Sequence, residues 1–537
     1  MTRYTSHVDT FAADNLPPQE LWPELIFTLP ELQYPARMNC AVELLDKKVA
    51  SGSAAHPAVI GADGERTFAQ LLDDANRVAG VLRDDLGLVP GTRVLVRGYN
   101  NATFAACWLG IVKAGCIVVA TMPLLRSKEL CEVIEKARVG AAFCDRRLEA
   151  DMIVAAEACP VLEKIIYTND ASADGLAARM ARQTGSFESV STAADDVCMI
   201  AFTSGTTGKP KGTMHFHRDV LAICDTFSAK VVRPTAADVF IGSPPLAFTF
   251  GLGGLLLFSL HAGASTVMLE KSAPDAMLDA IARRRVTTCF TAPTAFRAMT
   301  PLASTYELSS LHTCVSAGEP LPLNTREGWE RATGIKIIDG IGSTEMLHIF
   351  IAAAGDKIRP GATGLPVPGY QACVLGDDGS PLPAGEIGRL AVKGPTGCRY
   401  LADDRQRQYV FNGWNLTGDA YKMDDDGYFW FQARTDDMII SSGYNIAGPE
   451  VEAALLGHPR VLECAVVGAP DEDRGHVVKA FVVLRDGAPG DASVAKELQD
   501  HVKATIAPFK YPRRIEFVSA LPRTETGKLQ RFKLREG

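Results

Sequence analysis

The chain of 537 residues lacks any long hydrophobic run. Its longest apolar stretch, around residues 252–260, is interrupted by Gly253, Gly254 and Ser259 and is too short to span a bilayer, so no membrane partner is expected. Residues 1–14 mix Arg3, Asp9 and Asp14 with polar groups and have no apolar core, so they are not expected to act as a secretory signal. The thirteen cysteines are scattered with no C-x-x-C pair, so neither a disulfide framework nor a zinc site is indicated. Reduced thiols in a cytoplasmic enzyme are the simplest expectation. Positive charge is not in excess: a net charge of -8 argues against a nucleic-acid surface. Neither an internal repeat nor a low-complexity tract occurs. What is present is a globular composition, 47% hydrophobic, on a chain too long for one core, so two or more domains are expected.

The first part alternates helix and strand. Thr67 is placed to cap a helix with the apolar stripe Leu71, Leu72, Ala75, Val78, Ala79 and Leu82. Pro90-Gly91 turns into a strand at 94–96; a helix over about 102–114 stops at Gly115 and gives way to a strand at 116–120. Such units imply parallel sheets between helices. From Pro360, turns such as Asp377-Asp378-Gly379 and Asp425-Asp426-Gly427 separate short strands. Beyond Asp436 the pattern returns to α+β, with helices near 449–456 and 494–505 and strands at 464–467 and 479–484. The expected class is α/β: a large N-terminal domain of doubly wound sheets over 1–435, with a small β-rich subdomain at about 360–430, and a mobile α+β C-terminal domain over 436–537.

One run carries the chemistry: Thr203-Ser204-Gly205-Thr206-Thr207-Gly208-Lys209-Pro210-Lys211-Gly212. It follows an apolar strand at 197–202, and a helical pattern begins beyond it. Glycines, small hydroxyls and two lysines offer backbone N–H donors and positive charge, the means of holding a polyphosphate. The Walker spacing G-x-x-x-x-G-K-[ST] fails, since position 210 is Pro and position 213 is Thr. Downstream, Ile341-Gly342-Ser343-Thr344-Glu345 follows an apolar segment ending in Asp339-Gly340. A hydroxyl beside a carboxylate at a strand end suits a Mg–ATP complex. Thr417-Gly418-Asp419, alone, is also an ordinary turn. Arg434-Thr435-Asp436-Asp437 leads through Gly443-Tyr444-Asn445-Ile446 to Pro449-Glu450-Val451-Glu452, and Pro522-Arg523-Thr524-Glu525-Thr526-Gly527-Lys528 lies beside the carboxyl end.

These segments, in this order, resemble the adenylate-forming enzymes: acyl- and aryl-CoA ligases, luciferases and peptide-synthetase adenylation domains. The resemblance implies a nucleotide site of Thr203, Ser204, Gly205, Thr206, Thr207, Gly208, Lys209, Lys211, Gly318, Glu319, Asp339, Gly340, Gly342, Thr344, Asp419 and Arg434. Within it, Asp419 would accept both ribose hydroxyls and Arg434 would meet ribose and phosphate. It implies catalytic roles for Lys528, Glu345 and Thr344, with Glu345 on Mg²⁺. Asp436 would be the hinge, and Gly443 and Tyr444 would line the thiol channel. ATP, Mg²⁺ and coenzyme A are the implied cofactor and co-substrates.

Phe248-Thr249-Phe250-Gly251-Leu252-Gly253 resembles the acid-binding segment of benzoate-type CoA ligases, where a tyrosine more usually stands at position 250. Ile341, in place of the aromatic residue usual elsewhere in the family, and His348 match the same subgroup. Phe248, Thr249, Phe250, Gly251, Ala317, Ile341 and His348 would therefore wall a flat, apolar acid pocket. Asp14-Asn15-Leu16-Pro17-Pro18 and Pro35-Ala36-Arg37-Met38-Asn39-Cys40 resemble 2-aminobenzoate–CoA ligases. The implied partners are an aromatic acid, ATP and CoA, in a monomer or homodimer. A carrier-protein pantetheine as acceptor, and a non-catalytic nucleotide-binding protein, are the alternatives. His215-Phe216-His217, with no acidic or thiol partner at metal spacing, is expected on a strand or helix surface. Arg283-Arg284-Arg285 is expected at a solvated helix end.

Overall fold

A computed structural model describes residues 4–203, 210–434, 437–441, 444–471, 475–485, 487, 490–506, 508–523 and 529–535. Close packing divides the chain into two compact units, residues 1–372 with 392–415, and residues 373–391 with 416–537.

The first unit is built on two large sheets. In the six-stranded sheet the order is Lys164–Thr168, Ala141–Asp145, Arg93–Arg97, Ile117–Thr121, Val197–Thr203 and Lys211–Phe216. All neighbours run parallel except the last pair. In the nine-stranded sheet, six consecutive strands are parallel: Ile337–Gly342, Thr313–Ser316, Thr288–Thr291, Val239–Gly242, Ser265–Val267 and Pro57–Gly61. Helices cover these strands, which is why sequences such as Val94-Leu95-Val96 are apolar without alternation and wholly buried.

Local signals account for the elements. Thr67 caps the helix Phe68–Gly80 through a box completed by Gln70. Leu71, Ala75, Val78, Ala79 and Leu82 are buried as their stripe requires. Gly115 ends the helix Ala102–Lys113 at φ +69. One expectation is corrected. The residues after the glycine–threonine run form the strand Lys211–Phe216 first, and the helix His217–Ile223 only afterwards. Met214, His215 and Phe216 are all fully buried against the neighbouring strand, and that tertiary burial overrides the helical spacing.

In the second unit the β-rich stretch appears as strands including Trp414–Met423 and Phe429–Arg434, with turns at Gly379 and Gly427. Beyond it lies a five-stranded sheet in the order Tyr444–Ala447, Met438–Ser441, Gly475–Leu484 and Val461–Asp471, with Arg514–Phe517 also on Gly475–Leu484. Period-two alternation buries both faces: Val466, Val478, Ala480 and Val482 pack under the helices Gly448–Leu456 and Ala492–Thr505, while Ala465, Val467, Phe481 and Val483 pack with Leu521 and Leu534. Among the described residues no helix is long and apolar enough to cross a membrane.

Thr67→Ala removes the acceptor of the Gln70 N–H and about 1 kcal/mol of local stability. Hydrogen exchange should quicken roughly fivefold at the first amides of that helix, and unchanged exchange there would show that the cap does not hold it.

Candidate functional site

Parallel strands deliver their carboxyl ends to one edge of a sheet, where ligands of open α/β sheets bind. Along the nine-stranded sheet Ile337–Gly342 adjoins Thr313–Ser316, and Thr288–Thr291 alone stands between that strand and Val239–Gly242. Val239–Gly242 leads to Phe248, Thr249 and Phe250, Thr313–Ser316 to Ala317-Gly318-Glu319, and Ile337–Gly342 to Ser343-Thr344-Glu345. Gly318 takes φ +89 with nothing within 4 Å of where a Cβ would stand, so its backbone is open to a ligand. Gly342 has no such room: a Cβ would lie 2.7 Å from the His348 carbonyl oxygen. Asp339 is half-buried on its strand. Burial pushes its carboxyl up to about 7, Arg326 offsetting part of the effect.

The six-stranded sheet contributes the second group. Thr203 and Lys211 are paired across the antiparallel strands. Ser204, Gly205, Thr206, Thr207, Gly208 and Lys209 join those strands and lie outside the described residues. The Thr203 hydroxyl is buried and has no hydrogen-bond partner, an orphan suited to a phosphate oxygen. Lys211 Nζ donates to the Tyr400 hydroxyl at 3.2 Å, and that hydroxyl donates to Glu345 Oε1 at 2.5 Å. Burial and then the Glu345 charge push the Tyr400 phenol far up, so it stays protonated and a donor. The loop lysine, a tyrosine and the strand-end carboxylate thus form one cluster.

What holds that cluster is a buried network. His215 Nε2–H donates to the Thr344 carbonyl at 2.9 Å, and His215 Nδ1 lies 3.8 Å from Asp219. Asp219 pairs with Arg399 at 2.8 Å, both side chains fully buried. Burial would raise the Asp219 carboxyl, but Arg399 and His215 hold it well below the usual carboxylate range. Residues 399 and 401 pair with the strand of Lys211 through Met214 N–H to the Arg399 carbonyl and Leu401 N–H to the Gly212 carbonyl, each 2.8 Å. Gln406 Oε1 accepts from the Tyr400 N–H, and Tyr409 OH meets Ser343 Oγ at 3.2 Å. The expectation for His215 and His217 is therefore corrected. Both are buried, and their partners are Asp219, Thr344 and Cys40. Cys40 and Thr344 are distant in sequence, and Asp219 faces His215 only because the strand turns into a helix between them. The Arg283–Arg285 run does lie exposed at the end of the helix Pro274–Arg284.

Of the residues expected to wall the acid pocket, Phe250 lies against His348, which is 3% exposed. Its ring lies 5.7 Å from Phe250, 5.3 Å from Phe227 and 4.6 Å, edge-on, from Phe258. Burial pushes the imidazole down to about 3, so it is neutral at working pH. Neither ring nitrogen reaches hydrogen-bond geometry with a protein group. Two glycines make the approach possible: a Cβ on Gly253 would lie 2.3 Å from His348 Cδ2, and one on Gly251 would lie 2.2 Å from the Pro245 carbonyl oxygen. Thr249 and Ala317 are buried, while Phe248, Phe250 and Ile341 are half-buried.

In the second unit Asp419 and Arg434 stand opposite each other in antiparallel register, and their side chains pair at 2.9 Å. The Thr417-Gly418-Asp419 segment is thus part of a strand. Gly418 takes φ +77 with Arg434 against it. Asp436, Gly443 and Lys528 lie outside the described residues, and Tyr444 begins a strand. Sequence reasoning missed Tyr400, Arg399 and Asp219. The i, i+4 spacing of His215 and Asp219 was the one local signal for them.

Comparison with known proteins gives the same outline. The family model for AMP-binding enzymes matches residues 46–400, and that for the AMP-binding enzyme C-terminal domain matches residues 450–528. A benzoate–CoA ligase of Thauera aromatica is 36% identical over 514 residues, covering 95% of this chain and 98% of that protein. The crystal structure of the anthranilate CoA ligase AuaEII in complex with anthranoyl-AMP aligns with a TM-score of 0.88 at 35% identity, covering 95% of this chain and 98% of its own. A benzoate CoA ligase from Burkholderia xenovorans LB400 aligns with a TM-score of 0.84 at 31% identity, covering 93% and 100%.

The raised Asp339 carboxyl has a definite pH signature. From about pH 4 to 7 the folded chain keeps a proton that the unfolded chain releases, so this group's contribution to stability falls as pH rises. Asp339→Asn should remove that loss, its melting temperature gaining on the parent's progressively between pH 5 and pH 8 in thermal scans without nucleotide. Parallel curves would show that the carboxyl titrates normally.

Proposed function

Because this chain belongs to the AMP-binding enzyme family, we propose that it is an ATP-dependent aryl-CoA ligase acting on an aromatic carboxylic acid, with 2-aminobenzoate or benzoate preferred. The observation that carries the reading is the Lys211–Tyr400–Glu345 cluster at the carboxyl ends of the strands, set in a chain alike over nearly its whole length to benzoate-type ligases.

A carboxylate is a poor electrophile, because its leaving group would be oxide. In the first half-reaction a carboxylate oxygen of the acid attacks the α-phosphorus of ATP. The bond to the bridging oxygen breaks, giving acyl-AMP and pyrophosphate. Charge spreads over phosphoryl oxygens, so placed cations and N–H donors supply most of the acceleration. Lys211 and the residues from Thr203 to Lys209 hold the departing β- and γ-phosphates, and Lys528 is assigned to the charge between substrate carboxylate and α-phosphate. Gly318, Glu319, Asp339, Gly340, Gly342 and Thr344 serve the nucleotide, with Asp419 and Arg434 on its ribose. The Glu345 donor set fits magnesium, which takes few protein carboxylates and keeps water and phosphate oxygens as its other ligands. Tyr400 occupies Oε1 and leaves Oε2 for that purpose. A bound magnesium ion would neutralise phosphate charge. In the second half-reaction a thiol attacks the acyl carbonyl and AMP leaves. Swinging 436–537 about Asp436 would withdraw Lys528 and bring Gly443 and Tyr444 to the carbonyl, a gating step.

The ring cage around His348 favours a flat acid. Its neutral imidazole can accept a hydrogen bond from an ortho amino group, which supports the 2-aminobenzoate reading. Benzoate, 2-aminobenzoate, 4-hydroxybenzoate, cinnamate and hexanoate, each with ATP and CoA, test it by pyrophosphate release and thioester yield. Benzoate or 2-aminobenzoate should give the highest kcat/KM. Hexanoate in front would overturn the aromatic reading. Pyrophosphate without free thioester would point to a carrier-bound pantetheine, and no pyrophosphate at all to a non-catalytic binder. Lys528→Ala should slow adenylation by at least ~10²-fold while sparing thioester formation from pre-made acyl-AMP, and equal loss in both half-reactions would refute that role.

A further inference from the structure

Away from the nucleotide residues, three side chains converge inside the first unit without any part in the proposed chemistry. The ligand atoms of Cys40, Cys198 and His217 all lie within 4.8 Å of one another. Cys40 and Cys198 are fully buried and His217 is 1% exposed. They come from separate segments. Cys40 opens the helical stretch behind the N-terminal arm, tied down by Met38 N–H to the Thr192 carbonyl and by the Asn39 amide to the Val112 carbonyl. His217 is the first residue of the helix His217–Ile223. Cys198 lies on the strand Val197–Thr203 where the pairing with Lys211–Phe216 slips between Val197 and Met199. That irregularity makes Cys198 the extra residue of a bulge, a device that re-aims a side chain out of the regular pleat.

The distances and charges suit a divalent borderline-soft ion. His217 Nδ1 is 3.3 Å from Cys40 Sγ, close to the separation of two ligands at about 2.3 Å (sulfur) and about 2.0 Å (nitrogen) from one zinc ion; that nitrogen also accepts the Cys40 N–H at 3.2 Å, a bond the ion would replace. Two thiolates and a neutral imidazole around Zn²⁺ sum to zero charge, so the assembly can be buried without an unpaired ion.

We propose that Cys40, Cys198 and His217 form a structural zinc site. Binding forms two zinc–sulfur bonds and one zinc–nitrogen bond, with a water as the fourth ligand, breaks the hydrogen bond from the Cys40 N–H to His217 Nδ1 and releases the two thiol protons to solvent; nothing is oxidised or reduced. The ion would join the N-terminal arm to the pair of strands flanking residues 204–209, and so fix the base of the nucleotide loop. The proposal is independent of which acid the enzyme uses.

The test uses tag-free full-length protein, made in zinc-supplemented medium and dialysed against chelator-free reducing buffer. Elemental analysis should find about one zinc ion per chain, and none in the Cys40→Ser/Cys198→Ser double variant. Zinc-depleted parent titrated with cobalt(II) should develop a thiolate-to-cobalt charge-transfer band and the intense visible bands of a tetrahedral ion. Should the double variant fail to fold, that titration of the parent decides alone. A parent that carries no zinc and develops no charge-transfer band, or a folded double variant that keeps its zinc, would overturn the site.

Discussion

The buried ion pair between Asp219 and Arg399 is the constraint on which the nucleotide side of the first unit depends. Two charges with no solvent exposure are tolerated only when their geometry is good and most of their remaining hydrogen bonds are made. Here Asp219 also accepts the Phe216 N–H at 2.9 Å and faces His215, and the Met214 carbonyl accepts from Arg399 Nη1 at 3.3 Å, leaving Arg399 Nε buried without a partner. Arg399 therefore cannot leave its place, and its neighbour Tyr400 is held over Glu345 on one side and Lys211 on the other. His215, held by the same carboxylate, fixes the backbone at Thr344. Loss of either charge would strand the other in a low dielectric at a cost of about 3–5 kcal/mol, and the Lys211–Tyr400–Glu345 cluster would loosen with it.

Much of this was legible in the sequence, and the limit follows from contact range. The cap at Thr67, the stop at Gly115 and the apolar strand at 197–202 are decided within a few residues, and they appear where spacing put them. The motif segments carry their chemistry in contiguous residues, so Thr203, Lys211, Thr344 and Glu345 could be named without coordinates. Tyr400 could not. It reaches Glu345 across 55 positions and Lys211 across 189, in a stretch whose local sequence carries no chemical signature. His217 was misread for the same reason, since its thiol partner stands 177 positions away. The strand Lys211–Phe216 shows the converse: a local helical pattern loses to burial against a neighbouring strand.

Glycine placement explains why the acid side can be dense yet specific. The run Gly251-Leu252-Gly253-Gly254 belongs to a segment that resembles an acid-binding one, but the sequence alone does not say what its glycines admit. In the fold, Gly253 admits the His348 ring and Gly254 admits Phe290, each at a distance where a methyl group would overlap. The helical stretch over 249–262 can then press against the strand end and the imidazole together. Loss of side chains on the helix allows closer packing by its neighbours, and that closeness excludes the water that would otherwise hydrate His348 and raise its basicity.

Between these two regions runs a single tight turn, residues 343–348, that must present opposite chemistries three positions apart. Glu345 points into a charged, hydrogen-bonded setting with Tyr400, whereas His348 points among phenyl rings and is kept neutral. A regular strand would also put 345 and 348 on opposite faces, but here the chain must reverse as well, so that Ile349–Ala352 can pair antiparallel with Ile337–Gly342. The chain solves this at Leu347, whose φ of +68 is in the left-handed region despite a bulky, fully buried side chain. Such a conformation costs about 1–3 kcal/mol and persists only where its surroundings enforce it. Here they do: the Thr344 carbonyl meets both the Leu347 N–H at 3.2 Å and His215, while Thr396 Oγ1 donates to the Met346 carbonyl at 2.8 Å. The strain is thus held by the same buried network that positions Glu345, which couples the placing of His348 to the integrity of the Lys211–Tyr400–Glu345 cluster.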